Sequence, residues 1–191
     1  MKQIFLSLFA ATLLMACGNQ NANNQENEET TDEATTEFQQ DQVSIKGTIQ
    51  MSPAELWADI SSFAGLEKVF PETFSSTTVE GEGVGAKRTL VLADGSGETV
   101  EELTKLDAEN RILEYKIISS PIPITDYVAT MEIAPNEENP KSATLQWSSS
   151  YNVSKEADDA MRKQITGIYE TGIANWNKLA LADAENTQKK E

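Results

Sequence analysis

Histidine is absent from the 191 residues, and cysteine occurs once. Without histidine the chain has no Ser-His-Asp or Cys-His catalytic pair and no imidazole for a metal. With one cysteine it forms no internal disulfide and no thiolate zinc cluster. Basic residues are also scarce: 15 Lys and Arg stand against 31 Asp and Glu, a net charge of −16. Binding to nucleic-acid phosphates is led by Lys and Arg, so the charge argues against a nucleic-acid partner. The apolar run from Ile4 to Ala16 is too short to cross a bilayer as a helix, which takes about 20 residues.

That run nevertheless has a clear pattern. Lys2 precedes it and only Ser7 and Thr12 interrupt it, giving the charged start and apolar middle of an export signal over residues 1–16. It ends in Leu14-Met15-Ala16-Cys17, which resembles the lipobox of bacterial lipoproteins. The resemblance implies cleavage before Cys17, then a diacylglyceryl thioether and usually an N-acyl chain, such as palmitate, on that residue. An ordinary secretory signal with an incidental cysteine is the alternative. Two or more acyl chains anchor a protein stably, at about 0.8 kcal/mol per buried methylene. Gly18, rather than Asp, follows the cysteine. By the sorting pattern of enteric bacteria this implies the outer membrane, at either its periplasmic face or the cell surface.

Residues 18–41 hold seven acids and no base among Asn, Gln and Thr, with Phe38 the only large apolar side chain. Such a segment cannot bury enough surface to offset its ordering entropy. Residues 17–42 therefore read as an acylated cysteine followed by an acidic tether. Hydrophobic patterning runs from Val43 to about Ala182, long enough for a real core. Residues 183–191 read as a polar tail, and there is no internal repeat.

Within 43–182 the pattern predicts a strand at 43–50 and then a helix at 53–62. Ser52-Pro53-Ala54-Glu55 supplies an N-cap, a proline at the first helical position and the Glu of a capping box. A short second helix at 64–69 ends before Pro71. Six strands follow, at 73–80, 86–93, 98–106, 111–120, 125–134 and 142–151, and a long helix at about 156–181. Alternation in the later strands gives one apolar and one wet face, as in an antiparallel sheet. Leu113, Tyr115 and Ile117 share a face; so do Tyr127, Ala129, Met131 and Ile133; so do Leu145, Trp147 and Tyr151. Met161, Ile165, Ile168, Gly172, Trp176 and Leu179 form the stripe of the last helix. The fold class is α+β, a curved seven-stranded antiparallel sheet wrapped around one C-terminal helix.

This order, with its local motifs, resembles the START-like, or SRPBCC, superfamily, and within it the polyketide cyclase/dehydrase branch. The carriers begin with Ser52-Pro53-Ala54-Glu55-Leu56-Trp57 and Ile60-Ser61-Ser62-Phe63. Val79-Glu80-Gly81, Gly83-Val84-Gly85-Ala86-Lys87-Arg88-Thr89-Leu90 and Asp94-Gly95 come next. Glu101-Glu102-Leu103, Leu106-Asp107, Tyr115-Lys116-Ile117, Pro121-Ile122-Pro123, Asp126-Tyr127 and Trp147 complete the set. The resemblance implies a helix-grip fold enclosing an apolar cavity for a small hydrophobic ligand or lipid. It implies cavity positions at Phe63, Arg88, Leu90, Glu101, Tyr115, Tyr127, Trp147, Met161, Ile165 and Tyr169. It places the entrance between the turn Asp94–Gly97 and the loop Ser119–Thr125. The latch run of the plant hormone receptors is missing; Ser120-Pro121-Ile122-Pro123 stands there instead, so a hormone-receptor function does not carry over.

Arg88 and Glu101 have two readings, a polar anchor inside the pocket or a rim salt bridge worth about 0–1 kcal/mol. Glu101 and Glu102 are strand neighbours, point to opposite faces and cannot work as a carboxylate pair. The glycine-rich run 80–85 is followed by a strand, where a phosphate cradle needs a helix N-terminus. Gly167 and Gly172 in the last helix serve either ligand space or close packing. The expected function is a lipid-anchored binding or carrier module, needing no cofactor and no metal. The alternatives are a cyclase- or hydrolase-type enzyme using Glu101 and Tyr127, and an envelope interaction protein with a vestigial cavity. Oligomeric state is not legible in the sequence.

Overall fold

The computed structural model describes residues 37–189. The export signal, Cys17 and most of the proposed tether lie outside the described residues. The elements are β1 (Phe38–Ile49), α1 (Pro53–Ser61), α2 (Leu66–Val69), β2 (Phe74–Glu80), β3 (Lys87–Leu92), β4 (Glu98–Asp107), β5 (Ile112–Ser119), β6 (Thr125–Pro135), β7 (Ala143–Ser154) and α3 (Asp158–Gln188). They form the expected α+β helix grip. One antiparallel sheet in the order β1-β7-β6-β5-β4-β3-β2 curves around α3, and α1 and α2 follow the first strand.

Local chemistry fixes the start of α1. The Glu55 backbone N–H donates to Ser52 Oγ at 3.3 Å, and the Ser52 N–H donates to Glu55 Oε2 at 2.9 Å, with Pro53 behind the cap. Sheet pleating then sorts side chains by parity. On β7 the inward set is Leu145, Trp147, Ser149, Tyr151 and Val153, all buried. Ser149 is the inward position that an apolar pattern passes over.

Two boundaries differ from the sequence reading. Residues 38–42, assigned by composition to the tether, are strand: β1 pairs with β7 from Phe38↔Ser154 to Ile49↔Ala143. The ladder supplies backbone hydrogen bonds that composition does not reveal, and Asp41 is the reason a polar stretch can join it. Asp41 is buried, accepts from the Tyr151 hydroxyl at 2.7 Å and from the Gln42 N–H at 2.7 Å, and meets Arg162 at 2.5 Å. Burial raises its carboxyl, but these partners outweigh that and hold its pKa below the ordinary value. At the other end α3 continues through most of the expected polar tail, to Gln188. Once a helix is nucleated and packed, each further residue adds a backbone bond without needing an apolar face.

Gly172 sets how closely α3 approaches the sheet. A Cβ there would stand 2.9 Å from both Phe70 Cζ and Trp147 Cζ3, so this glycine serves close packing and not ligand space. Further along the helix the Trp176 indole N–H donates to Asp59 Oδ2 at 2.7 Å, and Asn175 Nδ2 donates to the Val69 carbonyl at 2.7 Å. These bonds fix the C-terminal half of α3 against α1 and α2. The core residues lie between Val43 and Trp176, so the described residues contain their own core.

Candidate ligand-binding cavity

Where α3 stands off the sheet, a cavity of about 560 Å3 remains between β3–β7, α2 and the loops at one end. That volume is within the range of small-molecule sites. Its mouth lies where expected, between the β3–β4 turn (Asp94, Ser96) and the β5–β6 loop (Pro121 to Ile124). The loop is held by Ser120, whose hydroxyl bonds Thr99 Oγ1 at 2.9 Å and accepts from the Ile122 N–H at 3.2 Å. After the loop, Asp126 adopts a left-handed φ of 51° and accepts from Asn152 Nδ2 at 2.7 Å. The pairing of β6 with β7 shifts register between Thr125 and Val128 at this kink, and Tyr127 lies within it, aimed inward.

Seven of the residues expected at the cavity line it: Leu90, Glu101, Tyr115, Tyr127, Trp147, Ile165 and Tyr169. Phe63, Arg88 and Met161 do not. Phe63 carries the Arg88 guanidinium on its ring face, 4.2 Å from the centroid. Arg88 borders instead a separate space of about 20 Å3, shared with Asp59, Leu113 and Trp176. Met161, one turn before Ile165 on α3, is core. Sequence reasoning missed Phe70, Phe74, Ile117, Ile122, Ile124 and Ile168 as lining residues. Ile168 was legible in the stripe of α3. Phe70 and Phe74 flank an irregular turn where no periodicity assigns a face.

The cavity wall is mostly apolar, with a few polar groups in its lining. Arg88 and Glu101 face each other across β3 and β4 and form an ion pair through Glu101 Oε2, with Arg88 Nε–H donating at 2.8 Å. Their side chains are only 7% and 8% exposed, so the pair is neither an edge nor a rim bridge. Arg88 also stands 5.3 Å from the Tyr115 ring. The hydroxyls of Tyr127 and Tyr169 bond each other at 2.7 Å. Trp147 stacks on Tyr169 with ring centroids 4.3 Å apart and planes 13° from parallel. Burial, then the charge of Glu101, raises the Tyr115 phenol well above its ordinary range. Burial raises Tyr127 likewise, with Tyr115 and Tyr169 adding to it. Tyr169 is pushed up to about 12 by burial, restrained by the hydroxyls of Ser149 and Tyr127. All three therefore act as neutral hydroxyls near pH 7. Among the described residues no group of His, Cys, Asp or Glu is arranged to hold a metal.

A curved sheet gripping a helix around a largely apolar cavity defines a helix-grip protein with an internal chamber. Residues 40–180 match the family described as polyketide cyclase/dehydrase and lipid transport, and the chain belongs to that family. Solved structures agree on the fold. The protein XoxI from Bacillus cereus is 23% identical, with a TM-score of 0.66 over 73% of this chain and 95% of its own. A protein from Bacillus thuringiensis is 22% identical, with a TM-score of 0.66 over 74% and 99%. Norcoclaurine synthase from Thalictrum flavum, solved as a point mutant with a transition-state analogue, is 21% identical, with a TM-score of 0.63 over 78% and 98%. No curated protein matches the chain.

Proposed function

We propose that this protein binds and carries a small hydrophobic molecule in the cavity, and that acyl chains on Cys17 hold it at a bacterial membrane, the outer membrane by the Gly18 pattern. The cavity itself carries the reading: about 560 Å3, largely apolar, opening between two loops, with a few polar groups in its lining. Each 100 Å2 of apolar ligand surface withdrawn from water there contributes about 2.5 kcal/mol. The polar groups orient what the apolar lining binds. The family description, which includes lipid transport, supports the same reading.

The test uses the chain from Gly18, which lacks the signal and the cysteine but keeps all of β1. Native mass spectra with extraction should show a recurrent lipid-like adduct. The adduct should disappear in Ile168→Trp, which fills the cavity from α3. A wild-type protein that stays adduct-free after exposure to membrane extract contradicts the carrier reading. For the anchor, labelled palmitate should enter the full chain and fail to enter Cys17→Ser; label retained by the variant removes the anchor.

A further inference from the structure

The charges around the cavity are of one sign. Among the described residues that line it there are three carboxylates and no lysine or arginine. Glu72 and Asp94 are exposed at the mouth, and Glu101 is buried on the inner wall. The guanidinium nearest that wall, Arg88, is already committed to Glu101 Oε2 and to the Phe63 ring. Glu101 Oε1 accepts no hydrogen bond from a described residue, although the side chain is 8% exposed and faces the cavity. Also in the lining, the Tyr127–Tyr169 bond uses one phenolic proton of two. The other proton has only neighbouring hydroxyls to meet, Tyr115 beside Tyr127 and Ser149 beside Tyr169, and can turn to a ligand acceptor instead.

We infer that the cavity selects an uncharged amphiphile carrying a hydroxyl group, and rejects anions such as fatty acids and phospholipids. The inference rests on the carrier reading above and narrows it. A carboxylate or phosphate on the inner wall finds no free cation, and an unpaired buried charge is strongly unfavourable. The same head at the mouth meets Glu72 and Asp94, which are of like sign. An ammonium group on the inner wall meets an Arg88–Glu101 pair of zero net charge and gives up its hydration for little. A hydroxyl has no charge to bury. It donates to Glu101 Oε1 and accepts a tyrosine proton, so its own donor and acceptor are both matched there.

The experiment compares three head groups on one tail. Decanol, decanoate and decylamine compete with the uncharged dye Nile red for the chain from Gly18 at pH 7. Decanol should displace the dye, with decanoate and decylamine each at least about tenfold weaker. Decanoate or decylamine binding as tightly as decanol overturns the selectivity while leaving the carrier reading intact. Failure of the dye and of all three competitors to bind overturns the carrier reading and the selectivity with it. Glu101→Gln gives a second arm, because it keeps an acceptor but leaves Arg88 uncompensated. Decanoate should then gain at least about tenfold in affinity, and a folded variant with unchanged decanoate binding refutes the charge argument. If that variant does not fold, the head-group order of the wild type decides alone.

Discussion

The Arg88–Glu101 pair makes a quantitative case. Both side chains are more than nine-tenths buried, they face each other across β3 and β4, and Arg88 lies on Phe63 at 4.2 Å. Removing one member of such a pair costs about 3–5 kcal/mol, because the survivor keeps a buried, uncompensated charge. The two losses are unequal. Glu101 borders the large cavity, where water can enter and solvate its carboxylate after Arg88→Met, so that variant belongs near the lower figure. Arg88 borders only about 20 Å3, so Glu101→Leu belongs near the upper one. The double variant Arg88→Met/Glu101→Leu removes both charges and should return to within about 1 kcal/mol of wild type. Urea unfolding of the four proteins measures this as a double-mutant cycle, with a coupling energy of about 7 kcal/mol, the two single losses less the double one. A domain of this size loses roughly 2–4 °C in Tm per kcal/mol, so heating gives an independent check. Single variants that each cost under about 1 kcal/mol, with no coupling, would show a solvated pair and refute the reasoning.

The two glycines of α3 should respond with opposite signs. Gly172→Ala forces a methyl to 2.9 Å from Phe70 and Trp147 and should cost about 1–3 kcal/mol, whereas Gly167→Ala meets nothing within 4 Å and should gain about 0.5–1 kcal/mol. Thermal unfolding reads both, and a stabilising Gly172→Ala would mean the helix does not sit as close to the sheet as described. All four tyrosines of the chain are buried with raised phenols: Tyr115, Tyr127, Tyr151 and Tyr169. A pKa raised on folding gives stability that is full below the unfolded value of about 10 and is lost as pH rises through the folded values. Tyrosinate absorbance should therefore be absent in the folded protein through about pH 11 and then appear together with unfolding. A tyrosine titrating near 10 in the folded state would show that its hydroxyl is in water.

Much of the fold was legible in the sequence because its determinants are local. Ser52, Pro53 and Glu55 mark the start of α1 whatever surrounds them, and strict alternation marks the inward faces of β5, β6 and β7. The errors fell where partners distant in the chain decide. Asp41 looks like spacer until Tyr151 and Arg162 are seen around it. Ser149 carries no apolar signal, and burial among the inward residues of β7 is what reveals it. Arg88 was expected in the cavity, but its guanidinium ends on the ring of Phe63, and that contact depends on where the turn after α1 places Phe63.

The sequence by itself determined the order of elements, the α+β class with a curved antiparallel sheet around one C-terminal helix, and the acidity of the folded part. These follow from periodicity, capping and composition, which act over a few residues. It also carries the lipobox-like run ending in Cys17, a matter of pattern and not of shape. Only the tertiary structure decided how wide the cavity is and which groups face it. That depends on the distance between α3 and the sheet, and Gly172 sets the distance by its contacts with Phe70 and Trp147. It depends equally on the sharing of charge between Arg88 and Glu101, because a carboxylate's effect on a ligand is set by what already neutralises it.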